Sequence, residues 1–384
     1  MVDRAATPRV LLVSPVGPGV NPYISLLQGG LAAAGASVRL VPRLTADELE
    51  GECCPDVVHL HWLDRYDLPP AILFPGLHPA RDLPRRVLRR LLETACNLPL
   101  VYQGRRWARL RHLLTLLRRF RAAGGRVVYT VHNLDPHEEG GPADRWALRH
   151  LIGLADALHV HDISTAEALA RTFGRREGVA VIPHGHYLDC YPNTVSRQEA
   201  RARLGLPQQA FVYALLGWLR PYKGVEELLR AFRALPDRDA ILLIAGKAVS
   251  EAYASALASL AAGDPRVHFY PDLVPAPEVQ HYLNSADICV LPYRQVTTSG
   301  AALLAFSFGL PVIAPALGAF PHLIQGCRGL LYDPSDPQGL ERALAQARQM
   351  AWQEARAEVL AWVAQFDWVT IGNQLLRVYQ GSDG

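Results

Sequence analysis

Short apolar runs alternate with amphipathic stretches along almost the whole of this 384-residue chain. The runs are rich in Val, Ile and Leu, whereas the stretches between them repeat their apolar residues at helical spacing. Strands that are apolar on both faces are typical of parallel sheets with helices on each side. The pattern therefore predicts an α/β fold built from doubly wound parallel sheets.

The apolar runs fall into two groups, which predicts two domains. The first group comprises 10–14, 38–41, 57–61, 127–132, 158–161 and 179–183, and the second comprises 211–216, 240–245, 267–270, 288–291 and 312–314. The chain also exceeds the usual domain size of about 150 residues. We expect an N-terminal domain over 1–190, a second domain over 208–365 and a terminal helix over 366–384. The polar stretch 187–207 would contain the boundary.

Composition excludes several classes of protein. Half of the residues are hydrophobic and 20% are charged, as in a globular protein and not a disordered one. The net charge of +3 is small and no nucleic-acid-binding module is recognisable, so we expect no nucleic-acid partner. The six cysteines have neither metal-site nor disulfide spacing, and the N-terminus does not resemble a secretory signal. We therefore expect a cytoplasmic protein.

One long segment, 296–327, contains no Asp, Glu, Lys or Arg. Its length alone would allow it to span a membrane. Glycine and proline residues interrupt it, however, and these residues break helices and mark turns. We expect a buried helix over 299–308, a turn and a short core strand.

Thirteen arginines lie between Arg81 and Arg126, opposed only by Asp82 and Glu93. Two predicted amphipathic helices carry most of this charge, the first with Arg85, Arg86, Arg89 and Arg90, the second with Arg111, Arg118, Arg119 and Arg121. Basic amphipathic helices can bind anionic membrane surfaces. An ordinary solvated helix face explains the same pattern equally well.

Candidate ligand-binding residues of the second domain follow its strands, because ligands of such folds bind at the carboxyl ends of parallel strands. Arg220 and Lys223 follow the strand 211–216, and Lys247 follows 240–245. A helix start at Thr298, Ser299 and Gly300 follows 288–291. Cations beside free helix N–H groups suit a diphosphate.

Candidate residues of the first domain also lie at strand ends. Gly17 and Gly19 follow the first strand and would let the backbone approach a phosphate. His132 ends the strand 127–132 and is followed by three carboxylates, which are Asp135, Glu138 and Glu139. This cluster is suited to acid–base chemistry. No second close set of ligands accompanies it, so we expect no metal site.

These motifs together resemble GT-B glycosyltransferases, most closely the family 4-like group, the glycosyl transferases group 1. The matching stretches are VVYTVHN, VAVIPHG, LLGWLRPYKGVEELLRAF, ADICVLPYR and SGAALLAFSFGLPVIAP. The resemblance implies two Rossmann-like domains facing a cleft, with the C-terminal helix crossing back to the N-domain. It implies an acceptor in the first domain and a nucleotide-sugar donor in the second, with no cofactor and no metal ion.

The resemblance also implies residue roles. Arg220 and Lys223 match the pair that grips the donor diphosphate, and His132 matches a histidine near the reacting sugar. Such enzymes usually carry two glutamates eight residues apart, but this sequence has Val296 and Leu304 there. The stereochemistry of transfer therefore stays open. In an inverting enzyme the base would be Asp135, Glu138 or Glu139.

The expected function is metal-independent transfer of a hexose from a nucleoside diphosphate sugar to an acceptor hydroxyl. The acceptor would be a glycan or a lipid-linked precursor, and the arginine-rich helices suggest a peripheral position on the inner face of a membrane. One alternative is a GT-B sugar-nucleotide epimerase, which shares the fold and the diphosphate site. Another is a non-catalytic protein that binds nucleotide sugars or glycans, which the missing glutamates favour.

Overall fold

The protein consists of two compact units, one formed by 1–183 with 368–384 and the other by 184–367. The structure is a computed structural model that describes residues 7–17, 21–51, 54–63, 99–134, 141–350 and 352–381. Both units contain a six-stranded sheet in which every paired strand is parallel. The predicted α/β architecture is confirmed.

The first unit contains a sheet in the order β2-β1-β3-β4-β5-β6. Its strands are β1 (Arg9–Val13), β2 (Ser37–Val41), β3 (Val57–Leu60), β4 (Arg126–Thr130), β5 (Ala157–Val160) and β6 (Val179–Val181). Its described helices are α1 (Tyr23–Ala33), α2 (Pro99–Ala122), α3 (Pro142–Leu154), α4 (Ile163–Phe173) and the terminal α13 (Trp368–Gln380). The chain leaves β1 on one side for β2 and returns on the other side for β3, so the topological switch point lies between β1 and β3.

Helices cover both faces of this first sheet. Leucines of α2 pack on one face with residues of α3, and the group is Leu110, Leu113, Leu114 and Leu117, each no more than 1% exposed. Residues of α1 and α13 pack together on the other face. These two helices approach closely because glycines face each other, and a Cβ on Gly372 would lie 2.5 Å from the carbonyl oxygen of Gly30.

The second unit repeats the arrangement with the order β12-β11-β10-β7-β8-β9. Its strands are β7 (Phe211–Leu216), β8 (Ala240–Ala245), β9 (Val267–Tyr270), β10 (Ile288–Val290), β11 (Val312–Pro315) and β12 (Gly329–Tyr332). Its helices are α5 (Arg197–Leu204), α6 (Val225–Ala234), α7 (Glu251–Ala261), α8 (Val279–Ser285), α9 (Gly300–Ser307), α10 (Phe320–Leu323), α11 (Gly339–Ala347) and α12 (Trp352–Val363). All six residues of β8 are buried, as a central parallel strand requires.

The stretch 187–207, predicted to contain the boundary, belongs to the second unit. Arg201 of α5 is fully buried and donates to Asp287 at 2.9 Å and to the backbone oxygen of Ser285 at 3.0 Å. The backbone N–H of Tyr187 donates to Ser307 Oγ at 2.9 Å. Strand β12 is absent from the prediction, whereas the uncharged segment 296–327 forms the predicted buried helix and core strand. Among the described residues, no helix combines the length and apolar character needed to cross a bilayer.

Candidate functional site

The switch point of the second sheet lies between β7 and β10, and the loops after these two strands form one corner of the unit. In doubly wound folds this is where ligands bind. The loop after β7 carries Arg220 and Lys223, and the loop after β10 leads through Tyr293 to the start of α9.

Two glycines determine the backbone at this corner. Gly217 after β7 and Gly246 after β8 have φ angles of 131° and 143°, a region in which residues with a Cβ are strained. A Cβ on Gly246 would lie 1.8 Å from the carbonyl oxygen of Gly217. On its other side, Gly217 leaves space for Lys223, whose Nζ lies 3.4 Å from where a Cβ would be.

Lys223 is a buried cation that has no counter-ion among the residues the structure describes. It is 9% exposed, and no carboxylate among the described residues lies within ion-pair distance of its Nζ. The neighbouring Glu226 and Glu227 pair with Arg294 instead, at 3.5 and 2.5 Å. Burial, with the charge of Arg220 nearby, lowers the pKa of Lys223 to about 8. A buried charge is costly unless it is paired, so this corner is suited to an anion.

The remaining predicted cations are more exposed. Arg220 is half-buried, lies 6.0 Å from the ring of Trp218 and has no ion pair within the described part of the chain. Lys247 is exposed at the end of β8. Lys223 and Arg220 therefore supply the electrostatic centre of the corner, and Lys247 lies at its solvent side.

The N-terminus of α9 completes the corner. Ser299 caps this helix, since its Oγ accepts from the N–H of Ala302 at 3.2 Å, and Thr298 before it is half-buried. Tyr293 lies on the loop that leads to this cap, and its ring centroid is 5.3 Å from Lys223 Nζ. A Cβ on Gly300 would lie 3.1 Å from the hydroxyl of Tyr187.

Two residues near this helix start, His184 and Tyr187, were not predicted from the sequence as site residues. His184 Nδ1 donates to the carbonyl of Gly185 at 2.7 Å, which leaves Nε2 as the acceptor for the hydroxyl of Tyr187 at 3.4 Å in a neutral ring. Both residues lie in the sequence PHGHY, directly after the last strand of the first group.

The carboxyl edge of the first sheet carries a cluster of histidines. Two H-x-H sequences, at the ends of β3 and β5, flank His132, which follows β4. The five histidines are His59, His61, His132, His159 and His161, and each is at most 9% exposed. Only His132 was singled out from the sequence, although the repeated H-x-H pattern was a visible signal. Alternate residues of a strand lie on one face, so each pattern places two imidazoles together.

Hydrogen bonds connect the deeper part of this cluster in one direction. His159 Nε2 donates to the carbonyl of Ile182 at 2.9 Å, and burial lowers the pKa of His159 to about 4, so its Nδ1 accepts from Thr130 Oγ1 at 3.0 Å. Thr130 in turn accepts from His59 Nε2 at 2.7 Å, because burial also lowers the pKa of His59 and keeps it neutral. His59 Nδ1 then accepts from the hydroxyl of Tyr379 at 2.7 Å. This chain anchors α13 to the sheet.

His132 itself lies at the outer side of the cluster. Its Nε2 is 3.1 Å from Nδ1 of His61, and its ring stacks on Trp62 with a centroid distance of 4.2 Å and an interplanar angle of 9°. Trp62 has a φ of 47°, a left-handed conformation that costs roughly 1–2 kcal/mol for a residue with a Cβ. Such strain is concentrated at functional sites. His132, Trp62 and Asp144 line a small pocket of the first unit.

The other residues predicted for a site in the first domain are either without contacts at the described positions or outside the described residues. Gly17 has open space around it, whereas Gly19, Asp135, Glu138 and Glu139 lie outside the described residues, as do Arg85, Arg86, Arg89 and Arg90. Within the described ranges, no group of three or more His, Cys, Asp or Glu residues is arranged to hold a metal ion.

Comparison with known proteins identifies the family. Residues 210–349 match the family model described as glycosyl transferases group 1, and residues 18–189 match glycosyltransferase family 4. The chain is 30% identical over 314 residues to the GDP-mannose:glycolipid 4-beta-D-mannosyltransferase of Xanthomonas campestris pv. campestris, covering 81% of this chain and 75% of that protein. It is 28% identical to the D-inositol 3-phosphate glycosyltransferase of Corynebacterium diphtheriae, covering 66% and 64%.

Solved structures show the same fold at low identity. HepE of Anabaena, in complex with UDP and glucose, superposes with a TM-score of 0.68 at 19% identity, covering 97% of this chain and all of that one. Sucrose-phosphate synthase of Thermosynechococcus elongatus gives 0.65 at 20% identity, covering 98% of both chains. The fold is GT-B, as the sequence motifs predicted. The chain belongs to the glycosyl transferases group 1, family 4, and is a nucleotide-sugar-dependent glycosyltransferase.

Proposed function

We propose that Lys223, Arg220 and the N-terminus of α9 bind the diphosphate of the sugar donor. The observation that carries this proposal is the burial of Lys223 without a carboxylate partner in the described residues. A diphosphate would supply the missing negative charge, and hydrogen bonds to charged groups contribute about 1.5–3 kcal/mol each. Ser299, Gly300 and Thr298 offer backbone and hydroxyl donors at the helix start.

The same groups support catalysis without a metal ion. Negative charge grows on the leaving diphosphate as the bond to the sugar breaks, and fixed cations and helix dipoles stabilise developing charge. Arg220 and Lys223 would take the place of a divalent cation. Lys247, on the solvent side, would add long-range attraction.

A thermal-shift experiment tests the diphosphate site. Nucleoside diphosphates and their sugars are screened against the parent protein, because a ligand that binds only the folded state raises Tm. The ligand that raises Tm most is then titrated against Lys223→Met, Arg220→Ala and Lys247→Ala. We expect the first two variants to lose most of the shift and the third to keep most of it. Equal shifts in the parent and in Lys223→Met would remove this site.

We further propose a mannosyl or related hexosyl donor and a glycolipid acceptor, with His132 acting on the acceptor side of the reaction. The support is the name of the Xanthomonas relative, a GDP-mannose:glycolipid transferase. Replacement of His132 by Ala should lower turnover far more than donor affinity. A variant with normal turnover would leave His132 as a purely structural residue.

A glycolipid acceptor requires the enzyme to reach a membrane surface, and α2 offers a basic face for this. Its leucines are buried in the first unit, so they are not available to a bilayer. Arg106 and Arg121 are used in ion pairs with Asp144 and Asp156. Three exposed arginines of α2 remain without a carboxylate partner in the described part of the chain, and these are Arg111, Arg118 and Arg119. Each contributes about 1 kcal/mol near an anionic leaflet.

Vesicle sedimentation tests the membrane proposal. The protein should sediment with anionic phospholipid vesicles at low salt and be released as the salt concentration rises. The triple change of Arg111, Arg118 and Arg119 to Glu should weaken binding while donor-induced stabilisation is kept. Parent protein that stays in the supernatant at low salt would contradict membrane binding and favour a soluble acceptor.

A further inference from the structure

The contact between His61 and His132 requires one of two imidazole nitrogens to donate a hydrogen bond and the other to accept it. The atoms are Nδ1 of His61 and Nε2 of His132, 3.1 Å apart, and the residues are 1% and 9% exposed. A neutral imidazole has one N–H and one lone pair. Which residue donates therefore determines the tautomer of both rings.

The second nitrogen of His61 decides between the two arrangements. Nε2 of His61 is buried and has no hydrogen-bond partner among the described residues. A buried N–H without an acceptor is rarer in folded proteins than an unused acceptor. Burial, and then the neighbouring imidazoles, lower the pKa of His61 well below its usual value, so the ring is neutral and has one proton. That proton is on Nδ1 and is donated to His132.

We infer that His61 is a positioning residue that holds His132 in the tautomer with its proton on Nδ1. His132 then serves the transfer reaction as a hydrogen-bond donor to a sugar or acceptor oxygen, and not as the base that removes the acceptor's proton. This inference rests on the proposed function of His132. A neutral His132 whose Nε2 accepts from His61 has its single N–H at Nδ1, and such a donor can stabilise charge on oxygen without proton transfer.

Neighbouring rings also hold the imidazole of His132 beside His61. Trp62 stacks on one face of the ring, and the rings of Tyr23 from α1 and His161 after β5 lie 5.2 and 5.5 Å away. Asp144 of α3 lines the same pocket, but its carboxylate is bound by Arg106 at 2.7 Å. Rotation of the His132 ring away from His61 would break its stacking on Trp62.

The tautomer is measured directly by NMR. Protein labelled with ¹⁵N in its histidines gives two-bond ¹H–¹⁵N correlations that distinguish a protonated from an unprotonated ring nitrogen, and loss of one set of signals in His132→Gln assigns that ring. We expect Nδ1 of His132 to be protonated and Nε2 to be unprotonated at neutral pH. A protonated Nε2 would overturn the inference.

Two substitutions of His61 separate positioning from packing. His61→Leu fills the space without a donor, whereas the side-chain amide of His61→Asn can donate from about the place of Nδ1. We expect His61→Leu to mix the two tautomers of His132 and to lower kcat roughly tenfold to a hundredfold, as loss of an orienting hydrogen bond does. His61→Asn should recover most of that turnover and restore the Nδ1–H tautomer.

The outcomes keep this inference apart from the proposed function. Parental kcat with an unchanged tautomer in His61→Leu would refute the role of His61. If His61→Leu does not fold, the spectra of the parent and of His61→Asn decide the question. The NMR readout needs neither donor nor turnover, so failure of the diphosphate site would appear in the thermal shifts of Lys223→Met and leave this test intact.

Discussion

Lys223 combines a cost to the stability of the free protein with the role in donor binding that we propose for it. The residue is 9% exposed and lies near the charge of Arg220, while Glu226 and Glu227, which follow it in the sequence, bind Arg294. Within the described part of the chain, this positive charge is therefore uncompensated, and an anionic ligand would neutralise it. Removing the charge should make the free protein more stable and its complex with the donor weaker, an opposition that is common at functional sites.

The lowered pKa of Lys223 predicts opposite pH dependences for binding and for stability. The folded value of about 8 is below the usual 10.5, so between these values the unfolded chain binds more protons and stability of the free protein rises with pH. Donor affinity should instead fall above about pH 8, by up to roughly tenfold per pH unit, as the amine loses its charge. Lys223→Arg, which stays charged, should keep its affinity up to pH 10. Calorimetric titration of the parent and of Lys223→Arg with the donor from pH 7 to 10 measures both affinities. A parent affinity that stays constant above pH 8 would contradict this assignment.

Single residues were predictable where the motif is local. Arg220, Lys223 and the cap at Ser299 follow the ends of strands, so the sequence alone placed them at one edge of the second sheet. That they bind a diphosphate stays a prediction. The pair of His61 and His132 was missed, because it depends on β3 lying beside β4. No local sequence signal predicts the left-handed backbone of Trp62, whose ring contacts Tyr23 and His132.

At the scale of elements, the contact of α1 with α13 determines how the chain end returns to the first unit. Gly30 and Gly372 let the two backbones approach, and a Cβ on Gly30 would lie 2.2 Å from the carbonyl oxygen of Trp368. Tyr379 adds a hydrogen bond to His59 from the same helix. The predicted terminal helix, α13, therefore packs with α1 on one face of the first sheet.

Substituting these glycines tests the contact. Gly30→Ala and Gly372→Ala should each lower the free energy of unfolding by about 1–3 kcal/mol, since overpacking forces the helices apart. Gly29→Ala is the matched control on α1, because a Cβ there meets nothing within 4 Å. It should raise stability by roughly 0.5–1 kcal/mol through helix propensity. Chemical denaturation measures all three, and equal stabilities for Gly29→Ala and Gly30→Ala would refute the close approach.

Most elements were predictable because their apolar patterns are strong. Strands β7, β8 and β9 begin and end where the sequence placed them. Strand β12 was missed, since its residues are only partly buried at the sheet edge and its sequence, GLLY, is short. The stretch 187–207 looked polar enough to lie between domains, but Arg201 buries its charge against Asp287, which no hydrophobic pattern reveals.

For the whole molecule, we propose that fixed cations stabilise the leaving group in place of a divalent metal ion. Glycosyl transfer should therefore proceed unchanged in excess EDTA, because Arg220, Lys223 and the start of α9 already oppose the charge of the diphosphate. Turnover is compared with and without chelator at equal ionic strength. Complete loss of activity that magnesium or manganese restores would show that a metal ion is needed.

The most direct measurement of the central claim is a product analysis with a radiolabelled nucleotide sugar. Parent protein and Lys223→Met are incubated with labelled GDP-mannose, or the donor chosen by thermal shift, with and without a bacterial glycolipid extract. The account predicts labelled glycolipid only when extract and parent protein are both present, with little product from Lys223→Met. Conversion of the donor to another sugar nucleotide without acceptor would indicate an epimerase, and binding without any product would indicate a non-catalytic protein. Equal labelling by Lys223→Met would contradict the role of the buried lysine.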